Sequence, residues 1–149
     1  KIYDFTEAYL RYGTVKKLAQ VHKELKQQGY SLKIWDAYRP FEAQQKLWEV
    51  YPDPNYVANP ANGMRRHNLG GTVDITMVAA DGSIIPMPTE FDDFSLKADR
   101  NYSDIDNEEA VKNVMILQTA MENNGFTGYQ GEWWDYSDTD EYEAVDFEP

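Results

Sequence analysis

The run Arg66-His67-Asn68-Leu69-Gly70-Gly71-Thr72-Val73-Asp74, continuing as Ile75-Thr76-Met77-Val78-Ala79-Ala80-Asp81-Gly82-Ser83-Ile84-Ile85-Pro86, decides how this chain is read. Thr72 to Val78 is rich in β-branched and apolar residues and predicts a strand. Ala80-Asp81-Gly82-Ser83 is a hairpin turn signal, and Ser83 to Pro86 is the expected return strand. Just upstream, the Gly70-Gly71 pair permits a sharp turn or bulge. His67 and Asp74 are seven apart, so on one regular strand they face opposite sides. A bend at the glycines would bring both onto one site, with Leu69 and Val73 in the core. Spacing alone leaves two readings open: a metal site, or a loop histidine and a strand aspartate each bonded to backbone.

Helical signals flank this unit. Thr14 is the expected N-cap of a helix over Val15 to Gln28, with Gly29 as its stop and Val15, Leu18, Val21 and Leu25 as its apolar stripe. Ser31 to Asp36 predicts a strand with Leu32 and Ile34 on one face, ended by Ala37-Tyr38-Arg39-Pro40. Pro40 suits a first helical turn, and Phe41 to Val50 has helical composition. Tyr51 to Gly63, with three prolines, is a loop. Pro88 to Ser103 is irregular and polar. Glu108 to Asn124 is the clearest helix, with Val111, Val114, Met115, Gln118 and Met121 at helical spacing. Asp106 or Asn107 caps it and Gly125 ends it. Phe126 to Trp134 is the expected last strand, and Asp135 to Pro149 an acidic tail. Helices and hairpin strands mix without regular strand–helix alternation. That predicts an α+β fold, a single domain over 1–149.

Composition narrows the function. The 149 residues carry a net charge of -12, which argues against a nucleic-acid backbone or an anionic membrane as partner. The apolar share of 42% supports a sizeable core. There is no cysteine, so disulfides, thiol nucleophiles and Cys-bound metals are excluded. No apolar run approaches the roughly 20 residues of a membrane span, and no signal peptide is visible. The chain starts at Lys1 rather than Met, so an N-terminal piece is expected to have been removed by processing or truncation. The compartment stays open between bacterial cytoplasm and periplasm or export.

Only His22 and His67 are available as imidazoles, so any metal site must be carboxylate-rich. His22 lies among lysines and reads as surface. Glu132-Trp133-Trp134-Asp135 offers two carboxylates beside apolar rings. Desolvation there would raise a carboxyl toward the range of a general base, or the segment is simply an aromatic core strand. Arg39 could stabilise an oxyanion or form a salt bridge with Asp36. The acids Asp135, Asp138, Asp140, Glu141 and Glu143 do not match a calcium loop, because the spacing and the glycine are wrong.

Taken together and in order, these segments resemble the zinc D-alanyl-D-alanine dipeptidases associated with vancomycin resistance (VanX-like). Those enzymes sit within a wider group of D,D- and L,D-peptidases acting on cell-wall peptides. The resemblance runs from Tyr9-Leu10-Arg11 to Trp134. The family's Ser-x-His followed after six intervening residues by Asp, and its Glu-x-Trp-His, are matched by His67, Asp74 and Glu132 with the Trp pair. Ile34 to Pro40 resembles the family's arginine segment, and Phe91-Asp92-Asp93-Phe94 its substrate-amine segment.

The resemblance implies a hedgehog/DD-peptidase-like fold, a central antiparallel sheet flanked by helices with the metal in a cleft. It implies zinc held by His67 and Asp74, Glu132 as general base, Arg39 at the oxyanion and Asp92 paired with the substrate ammonium. Two departures stand out. The family's third ligand is a histidine, and here it is Asp135. The family serine two places before His67 is here Arg65, a substrate-side position, followed by Arg66. The N-terminal segment is also short.

Ligation by Asp135 in place of that histidine is the expected outcome, against a weakened site or two ligands plus water. A His-Asp-Asp shell neutralises a divalent cation, whereas His-Asp-His leaves about one positive charge. The oxygen-rich shell would also suit manganese or iron. Arg65 or Arg66 is expected to restore the lost positive charge. The implied activity is hydrolysis of D-alanyl-D-alanine or a related cell-wall dipeptide. The rivals are a carboxypeptidase or endopeptidase on peptidoglycan stem peptides, and a catalytically weakened module that binds a cell-wall peptide.

Overall fold

Three helices and four strands make up the regular structure of the computed structural model, which describes residues 8–63 and 66–143. They run α1 (Tyr12–Gln27), β1 (Tyr30–Asp36), α2 (Phe41–Val50), β2 (Thr72–Ala79), α3 (Glu108–Asn123), β3 (Phe126–Gly128) and β4 (Asp135–Asp138). The strands form one sheet in the order β1-β2-β4-β3, with every neighbouring pair antiparallel. This is the expected α+β architecture.

β2 is buried almost throughout, because it is flanked on both edges and covered on both faces. Val73, Ile75 and Met77 share one face and join Leu18, Val21, Leu25, Val114, Leu117, Met121 and Tyr136 in the main core, beneath α1 and α3. Burying a side chain of this size stabilises the fold by about 1.5–3 kcal/mol each. The alternate residues, Thr72, Asp74 and Thr76, face the other way. That second face holds the polar site, in a cleft also lined by residues 54–58 and by Phe91, Asp92 and Phe94.

Several expectations need correction. α1 starts at Tyr12, not after Thr14. Thr14 is fully buried inside the helix, and its hydroxyl donates to Asp138 Oδ2 at 2.7 Å. It takes the stripe position expected for Val15, which is 45% exposed. On α3 the buried face is rotated toward Asn113 and Leu117, leaving Met115 exposed, while Asn107 caps the helix as expected. The turn at Asp81-Gly82 forms, with the Ala79 N–H bonded to the Ser83 carbonyl at 3.0 Å. No return strand follows. Pro86 and Pro88 have no N–H for a ladder, and the Asn113 amide of α3 instead donates to the Pro86 carbonyl.

The expected strand over Phe126 to Trp134 is short β3 followed by a turn. The expected acidic tail opens with β4, an interior strand whose Asp135, Tyr136 and Asp138 are buried. A four-residue strand reading Asp-Tyr-Ser-Asp carries no apolar alternation. Its burial depends on partners far away in the chain.

Candidate metal centre and cleft

Sheet register builds the site. Asp36 of β1 pairs with Asp74 of β2, and Asp74 pairs with Asp135 of β4. Residues directly opposite in an antiparallel pair share a face, with Cβ atoms about 4.5–5.5 Å apart. Three aspartates therefore stand in one row across three strands. A register shift between Ile34 and Asp36 breaks the alternation of β1, so that Trp35 and Asp36 both line the same cleft.

His67 reaches the row from the short 3-10 segment Arg66–Leu69. Gly70, at φ 75, bends the chain into β2, a conformation that only glycine adopts at little cost. The turn is pinned to the Arg39 backbone. The Arg39 N–H donates to the His67 carbonyl at 3.0 Å, and the Asn68 amide donates to the Arg39 carbonyl at 2.8 Å. The expected bend thus brings together two residues seven apart: His67 Nε2 lies 3.2 Å from Asp74 Oδ1 and 3.7 Å from Asp135 Oδ2.

The imidazole tautomer is set by its other nitrogen. Nδ1 is 2.8 Å from the Ala37 carbonyl, which can only accept, so Nδ1 carries the hydrogen. In the neutral ring the Nε2 lone pair then faces Asp74 Oδ1, a buried oxygen with no hydrogen-bond donor among the described residues. Two acceptors at this separation are reconciled only by a positive charge, either a shared proton or a bound cation. Without a metal the proton takes that place. Burial works against the imidazolium, but Asp74 and Asp135 outweigh it and push His67 up to about 10. Burial likewise lifts Asp74 to about 6, against the pull of His67. Asp135 is equally buried, yet His67 and Arg66 hold it below the ordinary carboxylate range. One ligand atom each from Asp36, His67 and Asp74 lie within 4.8 Å of one another, a spacing that fits a metal ion.

These groups form the floor of a cleft of about 500 Å³. Glu132, Arg39, Asp92 and Arg66 also line it. Glu132 comes from the turn between β3 and β4 and is buried beside Trp133 and Trp134. Burial, reinforced by Asp135 and Asp74, lifts its carboxyl to about 9. It becomes a free carboxylate at neutral pH only when positive charge offsets its neighbours.

Arg39 bonds Asp36 at 2.6 Å and the Gln44 amide oxygen at 2.7 Å, so the expected salt bridge exists within the cleft itself. Asp92 is held at φ 56, a left-handed conformation that Asp tolerates better than most residues. Partial burial raises its carboxyl. Arg66, one of the two arginines expected to supply positive charge, ion-pairs with Asp135 and lies over the Tyr129 ring at 4.7 Å. Arg65 lies outside the described residues. His22 is exposed on α1, away from the cleft.

Gln44 and Arg100 were not singled out from sequence, and Asp36 was expected only as a salt-bridge partner of Arg39. Asp36 enters through the register of β1. Gln44 bridges Arg39 to the Ala58 carbonyl. Arg100 donates to the Tyr129 and Asp135 carbonyls at 2.8 and 2.7 Å, holding the turn that presents Glu132. Only Asp36 carried a local signal, an acid at a strand end three residues before Arg39.

The family profile described as D-ala-D-ala dipeptidase (peptidase M15) matches residues 7–148. The chain belongs to this family. It is 31% identical over 135 residues to the D-alanyl-D-alanine dipeptidase of Escherichia coli (strain K12), covering 91% of this chain and 69% of that protein. To the D-alanyl-D-alanine dipeptidase of Enterococcus faecium it is 30% identical over 161 residues, covering 93% of this chain and 73% of the relative.

The fold is shared with solved structures. One is a mutant of the vancomycin-resistance D,D-pentapeptidase VanY in complex with Zn(II). It aligns with a TM-score of 0.54 at 17% identity, over 93% of this chain and 80% of that one. Another is the LD-carboxypeptidase LdcB, with a TM-score of 0.58 at 18% identity, over 92% of this chain and 64% of that one.

Proposed function

We propose that this M15 family member is a zinc-dependent peptidase that hydrolyses D-alanyl-D-alanine or a closely related cell-wall dipeptide. The observation that carries the reading is the aspartate row with His67 at its centre. A surplus of buried acid around one imidazole is costly to fold and is stabilised by a cation. His67, Asp74 and Asp135 would hold the ion, with Asp36 facing the same point. When bound, a divalent cation polarises a peptide carbonyl and acidifies water. The oxygen-rich shell is the reason to test manganese and iron beside zinc.

The chain's own groups do the rest. Glu132 takes the proton of the attacking water and passes it to the leaving amine, which departs neutral. The Arg39 guanidinium, fixed by Asp36 and Gln44, stabilises the negative charge that grows on the carbonyl oxygen. Asp92 pairs with the ammonium of the dipeptide, a charge that needs a partner inside a cleft. Trp35, stacked on Phe91 at 4.7 Å, and Trp133 exclude water around them.

A second reading has its own support. Clefts of about 300–1,000 Å³ accommodate drug-sized ligands, so this one of about 500 Å³ leaves room beside a dipeptide. That favours a carboxypeptidase on peptidoglycan stem peptides. Incubating the zinc-loaded protein with D-alanyl-D-alanine and, separately, with a pentapeptide stem separates the readings by product. Free D-alanine from the dipeptide alone supports the leading one, and D-alanine from the pentapeptide alone supports the second. Binding of either without cleavage identifies a peptide-binding module.

A further inference from the structure

The geometry points to Arg66 as the residue that sets cation affinity at this centre, by holding Asp135 in competition with the metal. This rests on the reading of the aspartate row as a cation site. Arg66 sits immediately before His67 with its backbone at φ 55, outside the region most side chains prefer. A left-handed non-glycine residue persists where its surroundings hold it. Here the holding contacts are the Asp135 carboxylate and the face of Tyr129, whose hydroxyl is itself tied to the Asn55 carbonyl at 2.6 Å. The guanidinium is thus a fixed charge, and it does not lose its proton in proteins.

Within the row the arrangement is lopsided. Asp36 is bonded by Arg39 and Asp135 by Arg66, while Asp74 Oδ1 at the centre stands against His67 Nε2 at 3.2 Å. Asp135 gives one oxygen to Arg66 and turns the other toward His67 Nε2 at 3.7 Å. A metal drawing on Asp135 must share it with Arg66 or displace it, and it meets the repulsion of the guanidinium in either case. An arginine that only oriented Asp135 for ligation would act in the opposite direction, because loss of such a supporting contact weakens metal binding by about 10–100-fold.

The sign of the effect therefore decides the matter. The metal-free full chain is titrated with zinc against a chromophoric chelator, as wild type, Arg66→Gln, Arg66→Lys and His67→Ala. Removing the charge in Arg66→Gln is expected to tighten zinc roughly tenfold or more, since a unit charge a few ångströms away is strongly felt in a partly buried site. Arg66→Lys keeps the charge and stays within a few-fold of wild type. In an Asp135→Asn background, Arg66→Gln tightens zinc by less than in wild type, because the competition for Asp135 is gone and only the direct repulsion remains.

The Arg66 side chain is 34% exposed, so its removal leaves the core intact. Zinc affinity in Arg66→Gln that is unchanged or weaker, with His67-dependent binding in wild type, overturns the role of Arg66 and leaves the metal site standing. Absence of His67-dependent zinc in both wild type and Arg66→Gln overturns the site and this inference together.

Discussion

Asp135 and Asp138 stand at the two ends of the four-residue strand β4, both buried, and they meet opposite environments. Asp138 lies on the helix-covered side. It accepts from the Thr14 hydroxyl at 2.7 Å, the Tyr142 hydroxyl at 2.7 Å and the Asp140 N–H at 2.9 Å, and it ion-pairs with Lys17. Asp135 lies on the cleft side in a row of three acids, with Glu132 close by. One carboxylate has a complete set of donors and ties the chain end to α1. The other belongs to a cluster whose acids outnumber its cations. Burial alone does not separate a structural acid from a functional one; the balance of charge around it does.

The comparison breaks most visibly at Glu132. Glu132→Gln is expected to lower dipeptide hydrolysis by about 10²–10⁴-fold, the usual contribution of a positioned proton acceptor, with zinc binding retained. Wild-type turnover in that variant removes Glu132 from the mechanism. His67→Ala is expected to weaken zinc binding by about 100-fold or more, because it deletes the sole imidazole of the cluster. Asp135→His supplies the imidazole that the family resemblance implies there and is expected to tighten zinc by about tenfold. Equal affinity by titration defeats the idea that Asp135 ligates in its place.

Asp138→Asn probes the other end of the strand. It is expected to leave zinc affinity unchanged and to destabilise the fold by on the order of 1–3 kcal/mol, the scale for lost hydrogen bonds to a charged group. Burial opposes the Asp138 carboxylate, but Lys17, Tyr142, Asp140 and Thr14 hold the group below its ordinary value. Its stabilisation is therefore complete above the unfolded value of about 4 and is lost as pH falls through the lower folded value. Urea unfolding near neutral pH and in acid should show a smaller acid loss in Asp138→Asn than in wild type.

The smallest effect has the opposite sign. Glu132 is raised on folding, so in metal-free protein it costs stability as pH rises from about 4 toward its folded value. Glu132→Gln should then raise the metal-free Tm by a few degrees near neutral pH.

Much of the fold was legible because its signals are local. Phe41–Val50 is read to the residue, and α1 and α3 are read to within a turn. Capping by Asn107 and the glycine stops at 29 and 125 need only a few neighbouring residues. β4 was not legible, because its aspartates are buried by partners such as Lys17, 121 residues away, and Arg66, 69 residues away.

The site divides the same way. His67, Asp74 and Glu132 carry motif spacing, and the Gly70 bend that joins the first two is visible in the sequence. Asp36 joins them only through the register of β1 and its irregularity beside Asp36. Arg66 appeared as half of an arginine pair, and only the fold shows that it takes Asp135, the position where the family resemblance implies a histidine.

The central claim is that one cation is held by a single imidazole and a row of carboxylates. X-ray absorption spectroscopy of the zinc-loaded protein reads this directly, since scattering from a bound imidazole is distinct from that of carboxylate oxygen. One imidazole per zinc with oxygen donors completing the shell, lost in His67→Ala, is the predicted result. A shell without imidazole, or one unchanged in His67→Ala, would contradict it.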